Sequence, residues 1–581
     1  MRYFSYSLLL GISLSAIAWN LPAQDEQVHT FAEDFVHNSL ALSPSGATSQ
    51  GYHQHNGVNL DELLDDDSPK AIERERAFFR KARADADRLS KLDITPESHA
   101  DLDLIRLQCD GALLDLDRIR SDQHNPTGYV ELIGNALYSP FILDYAPLPK
   151  RLAQITARIE QIPNFLDNAR RALVSAPPIW TQVAQEEDAG NIDLIDQTIR
   201  AKVPPDLKPR YDAAATKALT SIHSFDNYLK NDLSQHSYDW RLGSDVYAAK
   251  FKLVLATGDT VERTLADAEA KLKSIRQDMR QQALAVYPHY FPGTQPPQDI
   301  NALVSKVLEK IALHHATPET YFSDAKRDLA ETTKFVESHH LLDLPPHNNL
   351  QVIPTPEFMR GIYGVGGFNA APAFEPQLGA YYWITPFTPG MSKARIESKL
   401  REYDFDGLKI LTIHEAMPGH YVQFQFANEI QPRWRGILRS IFSNTPYVEG
   451  WAVYATQLMI DAGYQNTPEM RLTFGKQMLR VVSNTILDIK LQTMGMTDQQ
   501  AIDLMIDDTF QEREEAEKKL QRAKLSSCQL PTYFVGWRAW DRLRDQYQKQ
   551  QGKDFDQAQF HDRALKEGGV PMPVLSRLLL K

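Results

Sequence analysis

Cysteine is scarce in this chain, with only Cys109 and Cys528 among 581 residues. Two cysteines are too few for the disulfide framework that stabilises many small exported domains. They could form one bridge, but the sequence does not show that they meet, and two separate buried thiols is the simpler interpretation. Neither cysteine lies in a cluster of potential metal ligands, so a cysteine-based metal site is not predicted.

A surplus of positive charge is also absent. The chain has 63 Lys and Arg residues against 75 Asp and Glu residues, which gives a net charge of −12. Nucleic acid binding usually requires a basic surface, so no nucleic acid partner is expected. Fixed-period repeats and low-complexity segments are missing too, which leaves an ordinary globular protein.

Only one long apolar run is present, at residues 7–19. It follows a short start that contains Arg2 and precedes the small residue Ala23. This pattern predicts a secretory signal peptide over residues 1–23, cleaved after Ala23 or alternatively after Ala18. An uncleaved anchor is the other interpretation, although the run is short for a membrane span. We therefore expect an exported protein, periplasmic or secreted, with no stable membrane insertion after cleavage.

One stretch of the chain carries potential metal chemistry. Residues 408–427 are largely apolar and contain His-Glu-Ala-Met-Pro-Gly-His at positions 414–420. Histidines offer neutral nitrogen ligands, and Glu415 beside the first histidine can take a proton from an activated water. This combination is typical of zinc hydrolases and suggests His414 and His420 as ligands. Two buried histidines on a kinked helix are the purely structural alternative.

The spacing of the two histidines requires a distortion of the helix. In the usual pattern the histidines are four residues apart, about 400° around the helix, and face the same way. Here they are six residues apart, about 600°, and would point roughly 120° away from each other. Pro418 donates no backbone hydrogen bond, and Gly419 tolerates unusual backbone angles. We therefore predict a local bulge there that turns His420 back beside His414.

A third ligand is expected from another element, because catalytic zinc sites have three protein ligands. Glu449 is the best candidate, since it lies in an apolar helix that follows the start signal Asn444-Thr445-Pro446. An acid in such surroundings is rarely buried without a partner. The alternative is an acid favoured by the dipole near the helix N-terminus.

These residues carry a resemblance to a known family. The sequence from His414 to His420, followed by Glu449-Gly450-Trp451-Ala452, resembles the domain of unknown function 885 family, bacterial proteins regarded as gluzincin-like zinc peptidases. Residues 379–382 are similar to the family's strand before the metal helix. Residues 529–536 resemble its tyrosine-containing segment, and residues 560–562 and 568–571 resemble its closing signature.

The resemblance implies a fold, a cofactor and a set of roles. The fold is mainly α, a large helical zincin-like metallopeptidase with a small β-sheet lining a deep active-site cleft. The cofactor is Zn²⁺, bound by His414, His420 and Glu449, and Glu415 is the general base. Tyr533 and Arg522 match the family's Tyr and Arg positions.

The chain departs from the family pattern in one region. The family often has Asp-Thr-Gly-x-His before a Gly-Trp pair, whereas this chain has Gln492 in place of the histidine and Met496 in place of the tryptophan. Ser527 and Cys528 stand where the family has Pro-Gly. These changes leave the metal ligands intact and affect only details expected of the substrate pocket.

The chemistry of peptide hydrolysis gives Tyr533 and Arg522 specific possible roles. Water attack on a carbonyl builds a negative oxygen, which a Tyr533 hydroxyl beside the metal would stabilise. Arg522 would bind a substrate carboxylate in bidentate fashion, although a structural salt bridge explains an arginine equally well. His561 is a second possible donor, but packing in the core is the favoured interpretation.

The rest of the chain predicts two parts that form one unit. Residues 24–345 are a helical N-terminal part, and residues 346–581 are the catalytic part. In the second part, residues 350–354 and 380–384 have strand composition. We expect an edge of this small sheet to run along the cleft, where Tyr381 and Tyr382 would bind an extended substrate by strand addition. Plain packing of the two tyrosines is the alternative.

The sequence therefore predicts an exported zinc metallopeptidase that acts on a peptide or small amide substrate. Two other classes remain open. One is a zinc hydrolase of a non-standard or cyclic amide, and the other is a helical binding protein that keeps the fold without turnover. Substrate specificity, endo- or exopeptidase action and oligomeric state are left open at this stage.

Overall fold

The protein is described here by a computed structural model. The description covers residues 23–346, 349–356, 360, 364–388 and 390–580. The predicted signal peptide falls outside these ranges apart from Ala23, which begins the first helix.

The part of the chain before residue 346 is almost entirely helical. Several helices begin with a capping residue: the side chains of Ser68 and Thr95 accept hydrogen bonds from the backbone N–H groups of Ala71 and Ser98. A short hairpin pairs β1 (Gln54–His55) with β2 (Val58–Asn59). The helices are α1 (Ala23–Leu42), α2 (Pro44–Ser49), α3 (Pro69–Leu89), α4 (Pro96–Leu114), α5 (Ser121–His124), α6 (Pro126–Ile142), α7 (Leu148–Ile159), α8 (Ile162–Ala172), α9 (Pro178–Asp193), α10 (Lys208–Asn231), α11 (Gly243–Leu255), α12 (Val261–Tyr290), α13 (Ile300–Ile311) and α14 (Tyr321–His339).

A three-stranded sheet follows α14. Strands β3 (Leu350–Pro354) and β5 (Ala380–Ile384) have the bounds expected from the sequence. They are parallel neighbours, and β4 (Gly366–Asn369) pairs with the other side of β5 in antiparallel orientation. β5 is therefore the central strand, and β4 lies at an edge of the sheet.

Helices make up the remainder of the chain, and the predicted helix that carries the two histidines is divided. Residues 408–427 belong to two helices, α16 and α17. The helices are α15 (Lys393–Glu402), α16 (Phe405–Glu415), α17 (His420–Glu429), α18 (Arg433–Ile441), α19 (Thr445–Asp461), α20 (Pro468–Thr493), α21 (Asp498–Asp503), α22 (Arg513–Leu525), α23 (Thr532–Gln551), α24 (Gln557–Lys566) and α25 (Met572–Leu579).

The two parts of the chain share one apolar core. Tyr247 and Met279 of the N-terminal part are buried in the same cluster as Trp451 and Trp540 of the C-terminal part. Burial of such large side chains is the main favourable contribution to folding. α16 and α19, which carry the predicted site, both contribute to this core.

Two expectations about the chain as a whole can be compared with the structure. Cys109 and Cys528 are both buried and both free, so the interpretation as separate thiols is confirmed. Among the helices of the described residues, none combines the length and apolar character that a membrane crossing would need.

Candidate metal centre

The two histidines lie on either side of a complete break in the helix. α16 ends at Glu415 and α17 begins at His420, so the predicted bulge within one helix is wrong in extent. The N–H of Gly419 donates to the carbonyl of Ile413 at 2.9 Å, which folds the chain back on α16. A Cβ atom on Gly419 would lie 1.9 Å from the carbonyl oxygen of His414, so only glycine fits. The outcome is the one predicted, because His420 turns back beside His414.

Helix α19 is tied directly to this break. The indole N–H of Trp451 donates to the carbonyl of Pro418 at 2.9 Å, and a second contact reaches Gly419 at 3.2 Å. Buried indole groups usually require such a partner. Because Glu449 lies on the same helix two residues earlier, this bond fixes its position relative to both histidines.

The three predicted ligands come together. The Nε2 atom of His420 is 3.5 Å from Oε2 of Glu449, and the Nε2 atom of His414 is 4.0 Å from the same oxygen. The two imidazole rings are nearly perpendicular, with centroids 4.9 Å apart. One potential ligand atom from each of the three residues lies within 4.8 Å of the others, and no other group of three such residues is found in the described part of the chain.

The donor set fits a small divalent metal ion. A tetrahedral zinc ion with bonds of about 2.1 Å separates its ligand atoms by roughly 3.4 Å. The distances of 3.5 and 4.0 Å exceed this value by only about 0.1 and 0.6 Å. Two imidazoles and a carboxylate are also the ligand types that zinc prefers. The side chains of His414, His420 and Glu449 keep 21, 11 and 18 % of their surface exposed, so the site can be approached from solvent.

The protonation of His414 and Glu449 agrees with metal binding. Burial lowers the pKa of His414 to about 3, so its ring is neutral and able to donate an electron pair. Burial acts to raise the pKa of Glu449, but the nearby rings of His420 and His414 and the charge of Arg522 outweigh it and lower the pKa. Glu449 is therefore a carboxylate over the ordinary pH range.

Glu415, the predicted base, lies at the last position of α16 and faces the sheet edge. Burial raises the pKa of Glu415 to about 7, and the charge of Glu449 acts in the same direction. The backbone N–H of Phe368 in β4 donates a hydrogen bond to the Glu415 carboxylate. A carboxyl group that titrates near neutral pH is suited to accept and release a proton.

A close crossing of two helices brings Tyr533 near Glu449, one of the three potential metal ligands. Gly450 of α19 packs against Gly536 of α23 so tightly that a Cβ on Gly450 would lie 2.3 Å from the Gly536 carbonyl carbon. Tyr533 lies one turn before Gly536, and its hydroxyl accepts a hydrogen bond from Gln529 at 3.3 Å. The sequence interpretation missed the Gly450–Gly536 contact, although glycines in two apolar helices are a signal of close backbone approach.

Tyr533 and Arg522 both interact electrostatically with the ligand Glu449. Burial and the charge of Glu449 raise the pKa of the Tyr533 phenol, whereas the charge of Arg522 lowers it. Arg522 is exposed to solvent, yet its charge reaches Glu449. Arg522 and Tyr533 therefore both lie near Glu449.

The two tyrosines of the sheet lie elsewhere than expected. Tyr382 is completely buried, and its hydroxyl is 3.1 Å from the hydroxyl of Thr412 in α16. Tyr381 is half-buried and packs against an apolar cluster of the N-terminal part. Because β5 is the central strand, the edge assigned to these residues belongs to β4. The substrate-binding role of Tyr381 and Tyr382 stays a prediction that their positions do not support.

Two other residues of interest are structural. The side chain of Gln492 is buried, accepts a hydrogen bond from the N–H of Leu242 at 2.9 Å and donates to the carbonyl of Ser526 at 3.2 Å. His561 is buried between the carbonyl of Leu341 and the hydroxyl of Tyr454, as the packing interpretation predicted. Burial lowers the pKa of His561 to about 4, so the ring is neutral.

The fold and the site together define a mainly helical protein whose one cluster of potential metal ligands in the described residues contains two histidines and a glutamate. The chain belongs to the family of bacterial proteins of unknown function called DUF885, whose profile matches residues 44–579. Membership of this family, which the sequence motifs predicted, is thereby confirmed. No functionally curated protein matches the chain.

Two solved structures have the same fold. A "putative lipoprotein of unknown function" from Shewanella oneidensis is 30% identical, covers 95% of this chain and 100% of its own, and has a TM-score of 0.82. A similarly named protein from Colwellia psychrerythraea is 18% identical with a TM-score of 0.79, covering 96% of this chain and 98% of its own. A carboxypeptidase from Pyrococcus furiosus is 10% identical with a TM-score of 0.43, too low to indicate a shared fold.

Proposed function

We propose that the protein is an exported zinc-dependent peptidase. The observation that carries this proposal is the convergence of His414, His420 and Glu449 with Glu415 next to the first ligand. A protein that only bound a ligand would need the metal donors at most, whereas Glu415 adds a carboxyl group beside the first ligand, where it can take a proton from an attacking water.

Each residue has a defined part in hydrolysis. Zinc held by the three ligands would supply a Lewis acid at the point where the scissile carbonyl lies. Glu415 accepts a proton as water attacks that carbonyl, and later donates it to the leaving amine. The Tyr533 hydroxyl, beside Glu449, donates a hydrogen bond to the negative oxygen of the tetrahedral intermediate.

The edge strand supports a peptide as the substrate. β4 pairs only on its β5 side among the described strands, so its other edge has backbone groups available for an extended chain. The Phe368 N–H of this strand reaches the Glu415 carboxylate, which places the strand beside the base. A peptide added along β4 would therefore pass the metal ligands.

Export is part of the proposal. The signal-peptide pattern of residues 1–23 supports it, and both similar solved structures have names that include the word lipoprotein. The chain itself has no cysteine before Cys109, so a lipid-modified cysteine at the signal cleavage site is not part of the proposal. Secretion of the full-length chain, measured as mature protein outside the cytoplasm, tests this step.

The enzymatic proposal is tested with Glu415→Gln. The variant keeps the shape of the side chain but cannot accept a proton, so we expect about one zinc ion to remain per chain while peptide cleavage falls about 10³-fold. Metal content is measured by elemental analysis, and cleavage is measured on a mixed peptide library. Glu517→Gln, an exposed glutamate on α22, is the matched control and should behave as the wild type.

The other outcomes discriminate between the classes. Wild-type activity in Glu415→Gln would show that this residue is not the base. Zinc bound without cleavage of any linear peptide would favour a non-standard or cyclic amide, or a binding protein. A wild-type protein that binds no zinc would refute the metal site itself.

A further inference from the structure

A histidine of the N-terminal part lies between two carboxylates that come from distant parts of the chain. The Nδ1 atom of His53 is 2.8 Å from Oδ1 of Asp61, and its Nε2 atom is 3.1 Å from Oε2 of Glu375. His53 precedes β1, Asp61 lies in the short helical turn after β2, and Glu375 lies in the connection between β4 and β5. This arrangement of Asp61, His53 and Glu375, the histidine bridge, joins the N-terminal part of the chain to the sheet.

The two hydrogen bonds of the histidine bridge require a charged ring. An ionised carboxylate accepts hydrogen bonds and donates none, so each ring nitrogen that contacts one must carry a proton. A neutral imidazole has a single N–H, whereas the imidazolium has two. Burial alone would lower the pKa of His53, but the hydrogen bonds and charges of Asp61 and Glu375 outweigh it and raise the pKa. His53 is therefore an imidazolium in this arrangement.

The two carboxylates differ in their other contacts. Asp61 is buried and accepts two further hydrogen bonds, from the Thr48 hydroxyl at 2.8 Å and from the Gln154 amide at 3.0 Å. Glu375 keeps 22 % of its side chain exposed, and His53 is the hydrogen-bond partner that the described residues offer its carboxylate. A buried carboxylate cannot replace a lost donor with water, whereas an exposed one can. When His53 loses one proton, the remaining proton therefore stays on Nδ1, and the bond to Glu375 breaks.

The other titratable groups around the histidine bridge do not replace this bond. The ring of Tyr145 stacks on His53 with centroids 4.2 Å apart, and the buried Arg158 donates to the hydroxyl of Thr48. The remaining groups nearby are Arg151, which pairs with Asp144, Asp65, which accepts from the Ser45 N–H, and Tyr52 and His55, which contact each other. Within the described ranges, none of these groups forms an ion pair or a hydrogen bond with Glu375.

The connection between β4 and β5, residues 370–379, lies close against the N-terminal part at this point. The N–H of Phe374 donates to the carbonyl of Gln50 at 2.9 Å. Gly51 has a φ of 78°, and a Cβ atom there would lie 2.9 Å from Cγ of Glu375, so the close approach requires glycine. Because the connection continues β4, the edge strand beside the candidate metal centre, its contacts help to set the position of that strand.

We propose that the histidine bridge is a pH-dependent tie, which holds the connection between β4 and β5 against the N-terminal part when His53 is charged and releases it when His53 is neutral. In the neutral ring, Nε2 presents a lone pair to the Glu375 carboxylate, and two facing acceptors repel each other. The tie is complete below about pH 6.5, the ordinary pKa of histidine, and is lost as pH rises through the higher pKa of His53. It does not depend on the peptidase function proposed above.

Hydrogen exchange of residues 370–380 measures the tie in the mature protein. Rates for the wild type and His53→Gln are compared at the same pH, so that the chemical effect of pH on exchange cancels. At pH 6 we expect the wild type to exchange about 10-fold more slowly, because the variant lacks a hydrogen bond between charged groups. At pH 9.5 we expect the two rates to agree. A ratio that is the same at both pH values would overturn the proposal.

Glu375→Gln provides a second test with the opposite direction. Its amide accepts a hydrogen bond from the imidazolium through oxygen and donates one to the neutral ring through nitrogen, so the tie should persist at both pH values. At pH 9.5 we expect residues 370–380 of this variant to exchange about 10-fold more slowly than those of the wild type. Exchange at the wild-type rate or faster at pH 9.5 would refute the role of Glu375.

His55→Gln is the matched control. His55 lies in the same hairpin, and its ring contacts the Tyr52 hydroxyl and the Asn56 amide, each at 3.0 Å, but no carboxylate of the described residues. This variant should exchange at the wild-type rate at both pH values. Loss of the pH dependence in His55→Gln would assign the effect to the hairpin as a whole and overturn the specific role of His53.

Discussion

Two groups of buried titratable side chains in this molecule differ in composition and access. The cluster of His414, His420 and Glu449 mixes nitrogen and oxygen donors and keeps 11 to 21 % of each side chain exposed. The second group is the pair of Asp188 on α9 and Asp226 on α10, in which Asp188 is completely buried. Burial and the neighbouring Asp226 raise the pKa of Asp188 to about 8.

The difference shows that a perturbed pKa does not by itself identify a functional site. Two carboxyl groups in contact satisfy each other when one is protonated, so the pair formed by Asp188 and Asp226 needs no ligand. The histidine cluster is different, because two imidazoles and a carboxylate converge with their potential ligand atoms within 4.8 Å of one another, an arrangement that suits a metal ion. Mixed donors with an open approach, rather than burial, distinguish the candidate metal centre.

The largest expected difference between the two groups is in metal retention. Even a neighbour of a metal ligand changes affinity 10- to 100-fold when replaced, so we expect His420→Ala to weaken zinc binding by more than about 100-fold. Asp188→Asn should leave zinc binding unchanged. Zinc per chain after dialysis against a weak chelator measures both. A full zinc complement in His420→Ala would remove this residue from the ligand set.

A second contrast compares one glycine near each group. In Gly450→Ala the new Cβ would meet the Gly536 backbone at 2.3 Å, so we expect destabilisation of about 3 kcal/mol, as for other overpacked positions. Gly190 lies in α9, near Asp188, and a Cβ there would meet no atom within 4 Å. Gly190→Ala should stabilise by about 0.5 to 1 kcal/mol through helix propensity.

Thermal unfolding of both glycine variants measures this contrast. A lowered melting temperature for Gly450→Ala together with an unchanged or raised one for Gly190→Ala is the expected result. Equal melting temperatures of the two variants would mean that α19 and α23 move apart to accommodate the new Cβ. The crossing of these helices would then not fix Tyr533 relative to Glu449.

The sequence predicted the site better than it predicted the sheet. The ligands lie within a short motif, and the proline and glycine at 418–419 signalled that the chain must turn between the histidines. The extent of that turn was not predictable, because it depends on contacts with another helix. The bond from Trp451 to the Pro418 carbonyl is such a contact.

The sheet illustrates why pairing is harder to predict. Residues 350–354 and 380–384 are rich in strand-forming side chains, and their bounds were predicted correctly. β4 was missed because Gly366-Gly367 favours a turn in isolation. In the folded chain a Cβ on Gly366 would lie 2.5 Å from the Trp383 carbonyl oxygen, so close approach to β5 requires the glycine. This third strand makes β5 central and places Tyr382 in the core.

The smallest expected effect concerns the pH dependence of stability at the acid pair. The folded-state pKa of Asp188, about 8, lies above its ordinary value of 3.8, so the folded protein holds a proton that the unfolded chain releases. The contribution of the pair to stability is therefore fully present below about pH 4 and is lost as pH rises toward 8. Asp188→Asn removes this loss. We expect the free energy of unfolding of this variant to exceed that of the wild type by on the order of 1 to 3 kcal/mol at pH 8.5. Melting temperatures of both proteins between pH 5 and 8.5 provide the measurement, and a difference that stays constant or shrinks with rising pH would show that Asp188 is ionised in the folded protein.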